Sequence, residues 1–174
     1  MKIITTPMCE DALKIAGVKE YSVVKPTDIN DADIAVLLSE TKTDIPTIAI
    51  KLNTYSQLYE SIRILEDKFN TSANIDEIEK ITELINTNIN KQSSRNNTKV
   101  KVYSNFLKDI VSDMGYIISN VDYDFIVLPD YMNIELEDND NVIIIPSHKN
   151  VSKNIIQRIK ERYELLENKL CMKQ

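Results

Sequence analysis

Few side chains in this sequence are equipped for chemistry, and they stand at joints rather than in recognised motifs. Cys9, within TTPMCEDALK, falls in the first turn of an expected helix. There the helix dipole favours a thiolate, which could act as nucleophile, redox group or soft-metal ligand. Glu10 beside it disfavours that thiolate, and a cysteine on an amphipathic stripe reads equally as a small buried apolar residue. His148 is the single histidine, and so the one side chain with an unperturbed pKa near neutrality. At a strand end it also reads as an ordinary surface loop residue. With Asp130 as orienter, a Cys9 and His148 pair meeting across a cleft would support nucleophilic or metal chemistry. No spacing requires that meeting.

Other acid clusters read more plainly. Asp31 with Asp33 and Asp122 with Asp124 precede apolar strands and suit turn formers. ELEDNDN, residues 135–141, lacks the glycine and closing glutamate of a calcium loop and reads as an acidic turn. The chain has two glycines, so no glycine-rich loop can wrap a diphosphate, and GxGxxG, Walker, HExxH, CxxC and GxSxG patterns are all missing. The formal charge of −6 opposes a phosphate backbone and disfavours nucleic acid as a partner. No apolar run approaches the roughly 20 residues that cross a bilayer. The start of the sequence lacks the apolar core of a secretion signal, and Cys9 and Cys171 are not spaced as a metal knuckle. Both are expected as thiols in a cytoplasmic protein.

The elements that must position these residues follow one plan, stated twice. KIITT reads as a strand, MCEDALKIA as a helix closed by Gly17, EYSVV as a short strand, DADIAVLLSE as a buried strand entered through two acids, PTIAIKL as a further apolar strand, and NTYSQLYESIRILEDKF as an amphipathic helix. From residue 100 the order returns: VKVYS, then FLKDIVSDM closed by Gly115, GYIISN, DYDFIVLPDY, NVIIIPS, and VSKNIIQRIKERYELLENKL with Ile155, Ile156, Ile159, Tyr163 and Leu166 inward. Between them, Asn74 and Glu77 suggest a capping box opening a helix with isoleucines at 75, 78, 81, 85 and 89. KQSSRNNT, residues 91–98, then reads as a polar linker.

Alternating strands and helices argue for mainly parallel strands covered on both faces. The expected fold is α/β: two duplicated small Rossmann-like lobes joined by an extra helix, with 1–72 the first lobe, 73–98 the linking helix and linker, and 99–174 the second lobe. One continuous sheet is the alternative. In open α/β sheets ligands lie beyond the carboxyl ends of the strands, where helix N-termini converge. That rule selects Thr6, Cys9, Ser39 and Glu40 in the first half, and Ser104, Asn105, Asp130, Tyr131 and His148 in the second.

The two buried strands DADIAVLL and DYDFIVLP, one per half, resemble the paired Rossmann-like lobes of the nitrogenase-like and chelatase-like superfamily. That resemblance implies a metal or tetrapyrrole ligand between lobes, although the metal-ligand cysteines of nitrogenase-like proteins have no counterpart here. TTPMCEDALKIAGV also resembles uncharacterised proteins of methane-producing archaea. The leading expectation is a cytoplasmic protein that binds a small molecule or metal-containing cofactor in a crevice between the lobes. An enzyme using Cys9 or His148 is one alternative. Another is an interaction module docking through the 75–89 helix on a partner or a second copy, as a homo-oligomer.

Overall fold

The computed structural model describes residues 1–135, 141–147 and 151–170. The acidic turn at 135–141, apart from its two end residues, His148 and Cys171 lie outside the described residues. The chain divides into two compact units, Met1–Leu84 and Ile85–Gln174.

In the first unit β1 (Ile3–Thr5) leads through α1 (Glu10–Ile15) to β2 (Ser22–Val23), and β3 (Ile34–Leu38) and β4 (Thr47–Ile50) precede α2 (Tyr55–Phe69). The strands form one parallel sheet in the order β2-β1-β3-β4. Ile4 lies opposite Ala35 in register, and these two with Leu37 make an apolar face. Val24, Ile29, Ala32 and Ile45 cover it. Loop residues rather than a helix therefore close that face. Accordingly Thr47 and Ala49 of β4 are exposed while Ile48 and Ile50 are buried, where the apolar run PTIAIKL led one to expect cover on both faces. Being outermost in the sheet, β4 receives cover on one face alone. Leu58, Ile62 and Leu65 of α2 are fully buried, each contributing roughly 1.5–3 kcal/mol over an exposed position. Thr54 caps α2 by accepting from the Gln57 N–H, and Asn70 closes it in the left-handed conformation, with φ 50°.

The second unit repeats this order. After α3 (Ile75–Arg95) come β5 (Lys99–Val102), α4 (Asn105–Asp113), β6 (Ile117–Ile118), β7 (Phe125–Pro129), β8 (Val142–Ile145) and α5 (Ile155–Leu170). Its sheet runs β6-β5-β7-β8, again parallel. The strands thus form two separate four-stranded sheets, which rules out the single continuous sheet. On the outer strand β8, Ile144 is 58% exposed between buried Ile143 and Ile145, the same one-sided cover as β4.

The paired aspartates acquire a shared role. In the first unit the Lys2 ammonium donates to Asp31 and the Lys2 backbone N–H to Asp33. In the second, Lys99 makes the same two contacts with Asp122 and Asp124. Each pair therefore fixes the entrance of its unit's first strand to that of its neighbour, at the edge opposite the expected ligand site.

Where a polar linker is expected at 91–98, α3 runs on to Arg95. The division between the units falls within this helix. Two of its polar residues, Gln92 and Arg95, are held by side chains and carbonyls of the second unit. Arg95 is 2% exposed and donates to Asn88 Oδ1, the Met114 carbonyl and Glu167. Gln92 donates to the Asp113 carbonyl. At the other end of α3 the capping box forms by half. Asn74 Oδ1 accepts from the Glu77 N–H, but the Asn74 N–H donates to Ile15 O at 2.8 Å. Glu77 Oε2 is consequently buried without a hydrogen-bond partner.

Asp113 lies inside this network, its Oδ2 accepting from Asn88 at 2.8 Å and from the Tyr163 hydroxyl at 2.5 Å. Burial pushes its carboxyl up from 3.8, against the lowering effects of the Tyr163 hydrogen bond and the Arg95 charge. A carboxyl raised in the folded state holds its proton more tightly there than in the unfolded chain. Its contribution to stability is present below the unfolded pKa and is lost as pH rises through the folded one. Asp113→Asn cannot titrate, so the stability difference, wild type minus variant, should be largest at the acid end and decline as pH rises. Urea midpoints of both proteins between about pH 3.5 and 7 measure this; a difference independent of pH would contradict it.

Candidate functional site

In each sheet the chain leaves the first strand toward one side and the third toward the other. The connections therefore diverge between β1 and β3, and again between β5 and β7. Such divergence is the topology at which open α/β sheets place a ligand, at the carboxyl ends of those two strands. Seven of the nine residues selected from the sequence lie on the loops leaving these strands, and Asn105 opens α4 directly after one of them; the ninth, His148, lies outside the described residues.

The edge of the first unit is part buried and part open. Thr6 is 6% exposed and Cys9 fully buried. The Thr6 carbonyl accepts from the N–H groups of Cys9 and Glu10 at 3.0 and 3.1 Å, making the turn into α1, and its hydroxyl donates to the Cys9 sulfur at 3.8 Å. Cys9 is the residue before α1 and does not cap it with its side chain. Its sulfur is thus packed within the turn, which supports the small buried residue rather than the nucleophile. Ser39 and Glu40 are exposed, and the Ser39 N–H bonds Ile50 O at 2.9 Å.

In the second unit Ser104 serves as the N-cap of α4, accepting from the Leu107 N–H at 3.4 Å. Asn105 and Tyr131 are exposed, Tyr131 by 60%. Asp130 has a defined partner: its Oδ1 accepts from the Ser147 N–H at 3.2 Å and from the Ser147 hydroxyl at 2.5 Å. Ser147 is 5% exposed. The loops after β7 and β8 are thereby tied together.

Arg158 and Arg162 of α5 were not selected from the sequence, yet they lie at this same edge, 4% and 6% exposed. Arg162 Nε donates to Pro146 O at 3.2 Å and Nη2 to Ser147 O at 2.7 Å. Its guanidinium sits 5.2 Å from the centre of the Phe106 ring, in the first turn of α4. Burial pushes Arg162 down to about 10, helped by the charge of Arg158 and opposed by that of Asp130, so it keeps its charge at neutral pH. A signal was present in the sequence: both arginines are spaced along α5 with the inward isoleucines, at positions where an apolar residue is the default.

Residues 96–172 match the model of the MJ0786 family C-terminal domain. That family takes its name from a protein of a methanogenic archaeon, in keeping with the resemblance to archaeal proteins. No curated protein matches the chain significantly in sequence. Among solved structures, zinc-bound AdcAII of Streptococcus pneumoniae, in a mutant form, is similar with a TM-score of 0.67 at 12% identity, over 98% of this chain and 99% of that one. A mutant manganese-bound periplasmic metal binding protein from candidatus liberibacter asiaticus is similar with a TM-score of 0.52 at 10% identity, over 98% of this chain and 100% of that one. At such identities the likeness is one of fold.

The described residues make a poor metal centre. No three of His, Cys, Asp or Glu gather among them, whereas a closed zinc site takes four such donors and a catalytic one three. Glu40 and Asp130 are carboxylates on the loops leaving β3 and β7. The isoleucines of α3 do not form one open stripe either: Ile81 is fully buried, while Ile75 is 70% and Ile89 53% exposed. No described helix is long and apolar enough to cross a membrane.

Proposed function

We propose that the protein binds a small ligand or a metal-containing cofactor at the carboxyl edges of its strands, and that binding rather than catalysis by Cys9 is its activity. The observation that carries this reading is the strand order β2-β1-β3-β4 and its repeat β6-β5-β7-β8, which opens a crevice beside Thr6, Ser39 and Glu40 in one unit and beside Ser104, Asn105, Asp130 and Tyr131 in the other. The zinc- and manganese-bound states of proteins with similar folds lend support, as these folds serve ligand binding elsewhere. A metal held through a cofactor fits the described residues better than a bare ion, because a cofactor brings its own donors and asks the protein for hydrogen bonds and one or two carboxylates.

A thermal-shift screen of the full chain tests the reading, with Zn(II), Mn(II), a tetrapyrrole, nucleotides and inorganic phosphate as probes. A probe present at a hundred times its dissociation constant stabilises the native state by about 2.7 kcal/mol, which raises the melting temperature by roughly 5–10 °C for a chain of this size. Asp130→Asn or Glu40→Gln should weaken the response. If no probe shifts the transition, or if both variants respond like the wild type, the reading is wrong.

A further inference from the structure

We propose that one face of the second sheet, carrying Lys101, Ile117, Val121 and Ile144, docks on the same face of a second copy, making the protein a two-fold dimer. This contact does not depend on ligand binding at the carboxyl edges.

The two units differ in how they close this face. Residues paired in register on parallel strands point to the same side of the sheet, so Lys99, Lys101 and Ile117 share a face with Ile126, Leu128 and Ile144. The equivalent face of the first sheet is built on Ile4, Ala35 and Leu37 and closed by Val24, Ile29, Ala32 and Ile45. Lys2 and Lys99, each bound to its own aspartate pair, fix the correspondence. Lys101 then stands where the first unit has the buried Ile4, and Tyr123 stands where it has Ala32. Residues 25–30, which include the short turn Pro26–Asp28 and Ile29, separate Val24 from the first aspartate pair. Val121 precedes the second pair directly, so Ile29 has no equivalent. Val121 is consequently 93% exposed, where Val24 is packed on its sheet. Ile126 and Leu128 of β7 are buried, whereas Ile117 and Ile144 on the strands to either side are exposed.

Parallel sheets are ordinarily covered on both faces, and an apolar patch left open marks a docking surface. Charge selects a second copy as the occupant. The chain carries −6, so two copies repel each other over most of their surface. On this face the charges balance, Lys99 and Lys101 against Asp122 and Asp124, and the residues from Ile117 to Val121 are uncharged. Lys99 contacts both aspartates. The Lys101 ammonium lies instead 5.3 and 5.0 Å from the ring centres of Tyr103 and Tyr123, and these tyrosines rather than a carboxylate are its partners. A two-fold interface must be complementary to itself. This face has what that requires: a lysine not paired with an acid, an Asp122 side chain 76% exposed, and apolar residues beside both. Facing copies set Lys101 of one toward Asp122 of the other and remove Val121 from water.

Sedimentation equilibrium of the full chain between about 2 and 200 µM tests this, a range over which a micromolar dissociation constant changes the mean mass visibly. The mass should climb toward that of a dimer as concentration rises. Val121→Glu should weaken association about tenfold or more, and Lys101→Glu should weaken it too, because it turns a balanced face acidic. Ile75→Glu, at a position of α3 that is 70% exposed in the first unit, should leave the dimer intact. A chain that stays monomeric throughout overturns the proposal and leaves the face to another protein or to the chain itself. Dimers that resist Val121→Glu overturn it as well, and dimers lost only with Ile75→Glu place the contact on α3 instead. Should Val121→Glu fail to fold, hydrogen exchange of the wild type decides. Amides of residues 117–121 should exchange more slowly at high concentration than at low, and exchange independent of concentration overturns the proposal.

Discussion

Replacing Arg95 with Ala is expected to destabilise the second unit by about 3 kcal/mol or more. Arg95 is 2% exposed, and its Nη1 bridges Asn88 Oδ1 at 2.8 Å and the Met114 carbonyl at 3.0 Å, while Nη2 reaches Glu167 Oε2 at 2.5 Å. Truncation leaves three acceptors without their donor, and each buried unsatisfied group costs about 1–3 kcal/mol. It also removes the guanidinium lying 5.8 Å from the Tyr116 ring centre. One contact moderates the loss: Lys91 remains 3.4 Å from Glu167, so that carboxylate keeps a partner. Because Asn88 also donates to Asp113, Arg95→Ala and Asn88→Ala should be non-additive, with a coupling of at least about 0.5 kcal/mol. Urea denaturation of the two single variants and the double variant measures both quantities. A loss under about 1 kcal/mol would mean that α3 beyond Leu84 is not anchored as described.

Arg95 also marks where the sequence stops being legible. The alternation of strands and helices, the joints at Gly17 and Gly115 and the acid-entered strands are local patterns, and mainly parallel strands followed from them through the general rules of parallel connections, whereas the strand order and the division into two sheets came from the structure. KQSSRNNT misled because composition reports average solvent preference. Gln92 and Arg95 are held, and Arg95 buried, by partners at Asp113, Met114 and Glu167, which lie far along the chain and leave no local trace. The same reason hid Arg162: an arginine on a helix reads as exposed by default, and its burial goes with carbonyls after β8. The carboxyl-edge rule selected Asp130 from the loop after β7, where the residue lies, but its pairing with Ser147 required the register of β7 on β8. For Cys9 the two readings differ only in burial, which one sequence does not state. Those limits fall on long-range contacts, the pairing of strands into two sheets included, whereas the apolar periodicities were sufficient for the individual strands and helices.

Gly17→Ala should be among the most damaging single substitutions in the first unit, at about 3 kcal/mol or more. Gly17 has φ +77°, and a Cβ there would stand 2.3 Å from the Ser72 carbonyl oxygen. Left-handed geometry alone costs a residue with a side chain roughly 1–2 kcal/mol; the rest comes from the collision. Ser72 cannot retreat easily, because its neighbours are tied down on both sides. The Thr71 hydroxyl donates to Ala16 O at 2.6 Å, the Ala73 N–H to Glu66 at 2.6 Å, and the Asn74 N–H to Ile15 O at 2.8 Å. Two of those acceptors belong to the closing turn of α1 itself, so a shift that relieves the clash breaks the contacts that join α1 to the segment after α2. Gly115 provides the internal comparison. Its φ is +88°, but the atoms a Cβ would meet are Cβ, Cα and Cγ of Gln92 at 2.9–3.0 Å. Of these only Cγ can turn aside, Cα and Cβ being fixed by the backbone of α3, but contacts of 2.9–3.0 Å need a far smaller shift than one of 2.3 Å, although Gln92 would then weaken its bond to Asp113 O. Gly115→Ala should therefore be the milder of the two. Thermal and urea unfolding of both variants decides the order, and equal losses would show that backbone conformation, not the Ser72 carbonyl, sets the requirement for glycine at both joints.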